Sequence, residues 1–314
     1  MCRDTARHVI SLSDLSDVDI RRIVARGGEF ARGAAAGLRP QPTLAGSVIG
    51  LYFSRTSTRT RTAFSAGALR LGASVVAYGP GDLQLNTGET SEDTGRVLAG
   101  MLDALVARTA GDPAEMRAWA RQERMAVVNA MSADEHPTQA LADLTTLAGQ
   151  FGAVDGLRLL YVGEGNNTAA ALALGLSRYP GVRLDLRTPP GYGLAAEIRD
   201  RAAAAAAASG AVIRERHDMA ELPADAEVVY TARWQTTGTS KPDPDWRAVF
   251  DPFRVTTAVM SAMPKAVFMH DLPAHRGEEV DAEVLDGPAS IAFTQAESKM
   301  YSAMAVLEWC HGAG

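Results

Sequence analysis

Between Ser54 and Phe64 the chain reads Ser-Arg-Thr-Ser-Thr-Arg-Thr-Arg-Thr-Ala-Phe, so that three arginines alternate with hydroxyl residues. Ser57, Thr58 and Thr60 offer hydroxyl donors, and Arg59 and Arg61 offer charge in a planar fork whose donors match two oxygens at once. The chemistry that suits this set is the holding of an anion, and phosphate is the natural guest.

The elements around the set say how it is presented. The apolar run Val48 to Phe53 reads as a buried strand. Ala63, Phe64, Gly67, Ala68 and Leu71 follow at helical spacing, with Gly72 where a helix C-cap would sit. The motif therefore spans a strand-to-helix turn, where unpaired backbone N–H groups face the positive end of the helix. A helix start disfavours cations, so arginines gathered there without an anion cost stability.

Other polar residues stand at the ends of predicted elements. Leu105 to Ala107 is a short strand ending in Arg108-Thr109, and Met125 to Asn129 is another. Ligands in open α/β sheets lie at the C-terminal ends of strands, which places Arg108 well for the same anion. His136-Pro137-Thr138-Gln139 opens a helix carrying Leu141, Leu144, Thr145 and Ala148, with proline suited to its first turn. Earlier in the chain, Ser13 to Ser16 reads as the entry to a helix through Ile20 to Phe30, with Asp17 and Asp19 near its first turn. Ser74 to Tyr78 is a strand broken by Gly79-Pro80-Gly81-Asp82, after which a polar loop with Gln84 and Gly88-Glu89-Thr90 leads to a helix through Arg96 to Leu102.

Phe151 to Gly156 marks the entry to a second domain, in which strand Leu157 to Val162 runs into Gly163-Glu164-Gly165-Asn166-Asn167 and an Ala/Leu helix. This is a mononucleotide-binding style βα unit but not a dinucleotide fingerprint, because Thr168 stands where the third glycine belongs. Leu184 and Leu186 suggest a strand, and the seven alanines Ala202 to Ala208 a helix. Val228 to Tyr230 is a strand leading to Arg233, Gln235, Thr236 and Thr237, and Thr236 to Pro244 is expected to be a mobile loop. Val267 to Met269 is the last core strand before His270.

The totals bound these readings. At 314 residues two domains of roughly 150 residues each are expected. The net charge of -6 argues against nucleic-acid and anionic-membrane partners, so the arginine cluster is a site and not a face. Cys2 and Cys310, near opposite ends, suggest no disulfide framework. The start lacks the apolar stretch of a signal peptide and no run of about 18 apolar residues occurs, so a cytoplasmic protein is expected. The six histidines and two cysteines form no metal-ligand pattern, and no cofactor is implied.

Ser57-Thr58-Arg59-Thr60-Arg61, His136-Pro137-Thr138-Gln139 and His270-Asp271-Leu272-Pro273, with Ala274-His275-Arg276-Gly277-Glu278-Glu279 after the last, together resemble the aspartate and ornithine carbamoyltransferases over nearly the whole chain. The resemblance implies an α/β protein of two doubly wound parallel-sheet domains. Residues 1–150 would bind carbamoyl phosphate, residues 151–295 an amino-acid acceptor, and the helix Gln295 to Trp309 would return to the first domain. It implies that Ser57, Thr58, Arg59 and Thr60 hold the phosphate and that Thr60, Arg108, His136 and Gln139 surround the carbamoyl group, with Leu272 and Lys299 also at this substrate. Gln84 would reach a neighbouring subunit's active site, as in a homotrimer with shared sites.

The acceptor residues are a mosaic: Asn167, Arg233, Gln235, Thr236, Thr237 and Asp271. Ornithine enzymes carry Asp-x-Trp-x-Ser-Met-Gly, whose aspartate takes the acceptor's α-ammonium, but here Ala232 replaces it. Arg233 and Gln235 resemble the aspartate enzymes, Asp271 replaces the cysteine of His-Cys-Leu-Pro, Lys299 replaces an arginine, and Thr56 a proline. A short diamino acid such as 2,3-diaminopropionate is one expected acceptor and ornithine another, with aspartate behind them. Two rival readings are a non-catalytic structural or regulatory family member and a nucleotide-dependent oxidoreductase using Gly163 to Gly165.

Overall fold

Short apolar runs separated by helices become parallel strands, because a crossover helix returns the chain to the same end of the sheet before each new strand. The structure is a computed structural model that describes residues 6–83, 88–236 and 239–312. It divides into two compact units, the first made of Met1–Gly149 and Glu297–Gly314 and the second of Gln150–Ala296.

Unit 1 carries β1 (Val48–Phe53), β2 (Ser74–Tyr78), β3 (Ala104–Arg108) and β4 (Ala126–Met131), all parallel, in the order β2-β1-β3-β4. Its helices are α1 (Asp17–Ala35), α2 (Arg59–Arg70), α3 (Ser91–Ala99), α4 (Ala114–Trp119) and α5 (Pro137–Phe151), the last running two residues past the boundary. Unit 2 carries β5 (Arg158–Val162), β6 (Arg183–Arg187), β7 (Val212–Arg216), β8 (Val228–Thr231) and β9 (Val267–His270) in the parallel order β7-β6-β5-β8-β9. Its helices are α6 (Asn167–Leu176), α7 (Ala196–Ser209), α8 (Trp246–Phe250), α9 (Thr257–Ser261) and α10 (Ala282–Leu285). The final helix, α11 (Ala292–Cys310), belongs to unit 1 from Glu297 onward.

Local chemistry sets the boundaries that matter. Ser16 caps α1 by accepting from the Asp19 N–H, Asp17 and Asp19 lie in its first turn and Arg32 in its last, and Ile20, Ile23, Val24 and Phe30 bury one stripe. Helix α2 begins at Arg59, ahead of the apolar spacing that starts at Ala63, and stops before Gly72, whose φ of +84° is cheap only for glycine. Helix α11 is tied to α1 by Arg26, whose Nε lies 2.6 Å from Oε2 of the buried Glu308, while Thr43 Oγ1 donates to Oε1 of the same carboxylate at 2.7 Å.

Both strand orders contain one reversal. In unit 1 the chain leaves β1 toward β2 and then crosses to β3 on the other side, and in unit 2 it leaves β5 toward β6 and β7 before crossing to β8. At such a switch point the loops after two neighbouring strands diverge and leave a crevice at their C-terminal ends. The switch points are therefore β1/β3 and β5/β8. The doubly wound expectation is borne out in both units. Among the described residues no helix is long and apolar enough to cross a membrane.

Candidate functional site

The β1/β3 switch point of unit 1 is where the first motif stands. The turn after Phe53 is fastened to the end of β3, because the Ser54 N–H donates to the Arg108 carbonyl at 3.1 Å and Ser54 Oγ to that of Thr109 at 3.0 Å. Thr58 precedes α2 without a side-chain cap bond, so its hydroxyl is not engaged with the helix's own N–H groups. Arg59 is the first residue of α2, half-buried, and Thr60 is buried beside it. Arg61 differs from the sequence expectation: its guanidinium lies 5.5 Å from the Phe53 ring and donates to the Tyr78 carbonyl at 3.5 Å, so it braces the β1 and β2 ends.

Arg108 is 9% exposed at the end of β3, where the register with β4 shifts between Ala107 and Arg108. Such an irregularity re-aims a side chain. One Arg108 Nη1–H points at His136 Nε2 over 3.4 Å, and His136 Nδ1 faces Thr138 Oγ1, also at 3.4 Å. Arginine can only donate, so Nε2 accepts and the imidazole proton sits on Nδ1. In this arrangement His136 meets Arg108 through Nε2 and Thr138 through Nδ1.

The loop before His136 is pinned by a residue that sequence reading missed. Buried Glu135 accepts from Ser11 Oγ at 2.6 Å and the Leu12 N–H at 2.7 Å, while its carbonyl accepts from the Ser132 N–H at 3.0 Å. Gln139 Nε2 donates to Asp143 Oδ1 at 2.8 Å, leaving Gln139 Oε1 buried without a hydrogen-bond partner among the described residues. Thr60, Ala63, Phe64, His136, Thr138, Gln139, Lys299 and Ala303 line one small cavity, so Lys299 of α11 does join the motif residues of α2 and α5.

Burial, with the charges of Arg108 and Lys299 adding to it, holds the His136 pKa well below the usual imidazole value. The ring is neutral at physiological pH. An unfolded chain takes up a proton below pH about 6.5 that the folded chain refuses, so this residue costs the fold about 1.4 kcal/mol per pH unit as pH falls below that point. Urea unfolding of the parent and of His136→Gln at pH 7.5, 6.0 and 5.0 should show a steeper acid loss in the parent. Equal slopes would place the imidazole in a solvated setting.

Unit 2 gathers the other candidates at its own switch point. Asn166 caps α6, its Oδ1 accepting from the Thr168 N–H at 3.0 Å and the Ala169 N–H at 3.1 Å, and Asn167 begins the helix buried. Thr168 Oγ1 donates to Asp271 Oδ2 at 2.9 Å, which brings the end of β9 to the start of α6. Leu272 adopts φ +53° ahead of a cis peptide to Pro273, and its N–H donates to His270 Nδ1 at 2.8 Å. The imidazole proton must then lie on Nε2, which donates to Glu279 Oε1 at 3.1 Å.

After β8, Arg233 Nε and Thr236 Oγ1 are buried without hydrogen-bond partners among the described residues, whereas Gln235 Nε2 donates to the Thr239 carbonyl at 2.8 Å. Buried polar atoms left over in this way are uncommon in folded proteins and mark places where a ligand can complete the bonding. Gln84 and Thr237 lie outside the described residues. Within the stretch Thr236 to Pro244, the Lys241 side chain is 4% exposed and pairs with Glu164.

The glycines after β5 are explained by packing. A Cβ on Gly165 would come within 2.3 Å of the Gly193 carbonyl carbon, and the Gly165 N–H donates to the Tyr192 carbonyl at 2.7 Å. The close approach this glycine permits is thus to the chain's own backbone, which removes the ground for a dinucleotide reading.

Residues 7–149 match the family model described as the carbamoyl-P binding domain of aspartate/ornithine carbamoyltransferase, and residues 155–310 match that of its Asp/Orn binding domain. The ornithine carbamoyltransferase of Bacillus subtilis (strain 168) is 36% identical over 303 residues, 96% of this chain and 93% of that protein. That of Methanothermobacter thermautotrophicus is 36% identical over 310 residues, 98% of this chain and 99% of its own. Among solved structures, ornithine carbamoyltransferase from Pyrococcus furiosus gives a TM-score of 0.92 at 34% identity, covering 99% of this chain and 98% of that one. Fold, motifs and relatives together define a carbamoyltransferase. The chain belongs to the aspartate/ornithine carbamoyltransferase family.

Proposed function

We propose that the protein transfers the carbamoyl group of carbamoyl phosphate to an amine of a short diamino acid such as 2,3-diaminopropionate, yielding a ureido amino acid and phosphate. Ser57, Thr58, Arg59 and Thr60 hold the phosphate, with Lys299 adding charge. The amine's lone pair attacks the carbamoyl carbon, negative charge collects on the carbonyl oxygen, and the C–O bond to phosphate then breaks with its electron pair leaving on phosphate. The surplus proton of the amine passes to phosphate or water. Arg108 donates to the developing oxyanion, neutral His136 orients Arg108, and Gln139 Oε1 accepts from the carbamoyl NH2 group.

One observation carries the acceptor assignment. Ala232, 1% exposed, stands where ornithine enzymes have the aspartate that takes an α-ammonium, while Asp271, bonded by Thr168, stands where they have cysteine. A carboxylate beside the reacting amine favours its charged form and slows attack unless the amine is weakly basic. An isolated alkylamine of pKa about 10.4 is only about a thousandth neutral near pH 7. In 2,3-diaminopropionate the adjacent amines depress one another, so one attacks while Asp271 holds its charged neighbour, and Arg233 takes the α-carboxylate. Asn167, Gln235 and Thr236 complete the acceptor set.

The test is kcat/KM for 2,3-diaminopropionate, ornithine and aspartate in the parent, in Asp271→Cys and in Ala232→Asp. The short diamino acid is expected to lead ornithine by about tenfold or more in the parent, and both substitutions to move preference toward ornithine. Ornithine itself is the second reading, favoured by the names of the relatives. A parent that prefers ornithine would establish it, and a parent that carbamoylates no amino acid would overturn the assignment as a whole.

A further inference from the structure

Lys241 occupies a stretch rich in glycine, threonine, serine and proline, yet its side chain is almost wholly removed from water. Its ammonium lies 4.5 Å from the centre of the Tyr192 ring, 4.7 Å from that of Phe250 and 5.2 Å from that of Trp246, and it pairs with the Glu164 carboxylate. The rings brace one another, Tyr192 and Trp246 each meeting Phe250 edge-on at 4.8 and 5.1 Å. A buried ammonium persists only where an opposite charge and polarisable faces replace its hydration, and this cage supplies both.

The two ends of the pair sit on the two loops that diverge at the unit 2 switch point. Glu164 lies in the turn after β5, three residues before Asn167, and that turn is independently fixed because Tyr161 Oη donates to the Glu164 carbonyl at 2.8 Å. Lys241 lies beyond β8, and between it and the strand come Arg233, Gln235 and Thr236. Gln235 Nε2 donates to the Thr239 carbonyl and Thr239 Oγ1 to the Thr236 carbonyl, both at 2.8 Å, so this segment is cross-braced just before its anchor.

We propose that Lys241 is a positioning residue: caged by Tyr192, Trp246 and Phe250 and locked to Glu164, it fixes the loop carrying Arg233, Gln235 and Thr236 against the turn carrying Asn167 before any acceptor arrives. The inference rests on the acceptor reading above. Its consequence is that the acceptor meets a preset loop and does not bear the cost of ordering it.

Lys241→Met keeps the stem and removes the charge, whereas Lys241→Arg keeps a cation that can stack on rings. Without substrates, backbone hydrogen exchange across residues 232–236 and 239–241 should quicken by about tenfold or more in Lys241→Met and stay near the parent rate in Lys241→Arg. With substrates, Lys241→Met should raise the acceptor KM by about tenfold while kcat and the KM for carbamoyl phosphate stay within about twofold. Glu164→Gln leaves the rings untouched, is expected to change exchange in the same direction, and decides the matter if Lys241→Met does not fold. Exchange unchanged in the folded variants, or Lys241→Arg as loosened as Lys241→Met, would overturn the proposal. The exchange measurement needs no acceptor, so a protein that transferred carbamoyl to no amino acid would lose its functional assignment while the anchor was still judged.

Discussion

An Arg59→Ala protein is expected to lose detectable carbamoyl transfer and carbamoyl phosphate binding while folding as well as the parent. Arg59 is the first residue of α2, with no acidic residue in the first turn and no side-chain cap from Thr58. A cation there gains nothing from the helix dipole, so its removal should leave the stability of the unliganded protein close to that of the parent. The same cation gives a phosphate its bidentate partner, and one charge-assisted contact of this kind is worth about 1.5–3 kcal/mol in binding alone. Calorimetric titration with carbamoyl phosphate, beside a thermal melt of each unliganded protein, separates the two effects. Undiminished affinity in the variant would remove Arg59 from the phosphate site, and a large fall in melting temperature would make it a structural residue.

Arg108→Ala should lower kcat by about a hundredfold to a thousandfold, the usual effect of losing one preorganised donor to an oxyanion. Arg108 is 9% exposed, set by a register shift at the end of β3 and directed at His136 Nε2, so its position is determined by the sheet and not by a flexible loop. Lysine should not rescue it well, because a point charge on a flexible stem cannot reproduce a planar fork. The loss should fall mainly on kcat and less on carbamoyl phosphate affinity, since charge on the carbonyl oxygen grows only as the amine attacks. Steady-state kinetics at saturating carbamoyl phosphate gives the answer. A kcat within tenfold of the parent would mean that another group stabilises the oxyanion.

The sequence made the switch-point loops legible because polar residues there interrupt apolar runs and have no place in a core. Ser57 to Arg61, His136 to Gln139 and Asn167 all stand where a strand gives way to a helix, and the fold puts them at strand ends. What could not be read were partners far along the chain: Ser11 with Glu135 is separated by 124 residues, Thr168 with Asp271 by 103 and Glu164 with Lys241 by 77. No periodicity encodes such pairs. Strand β7, Val-Ile-Arg-Glu-Arg, escaped notice because an edge strand carries charge where a central one carries valine and leucine. Helices α8, α9 and α10, of five, five and four residues, are too short to display a helical period. Arg61 looked like a phosphate ligand because composition cannot say which way a side chain turns. The acceptor residues were visible as departures from a pattern, and their partners were not.

Unit 1 is assembled from both ends of the chain, and this bears on the order in which the protein can be completed during synthesis. Its first stretch closes on Glu297–Gly314, including Glu308, which satisfies Arg26 and Thr43, and on Val306 and Leu307, which are fully buried. Unit 2 is one uninterrupted segment. Domains generally fold as units while the chain emerges. The segment translated first must therefore wait with its α11-facing apolar surface uncovered, while the segment translated second already holds everything its own core requires.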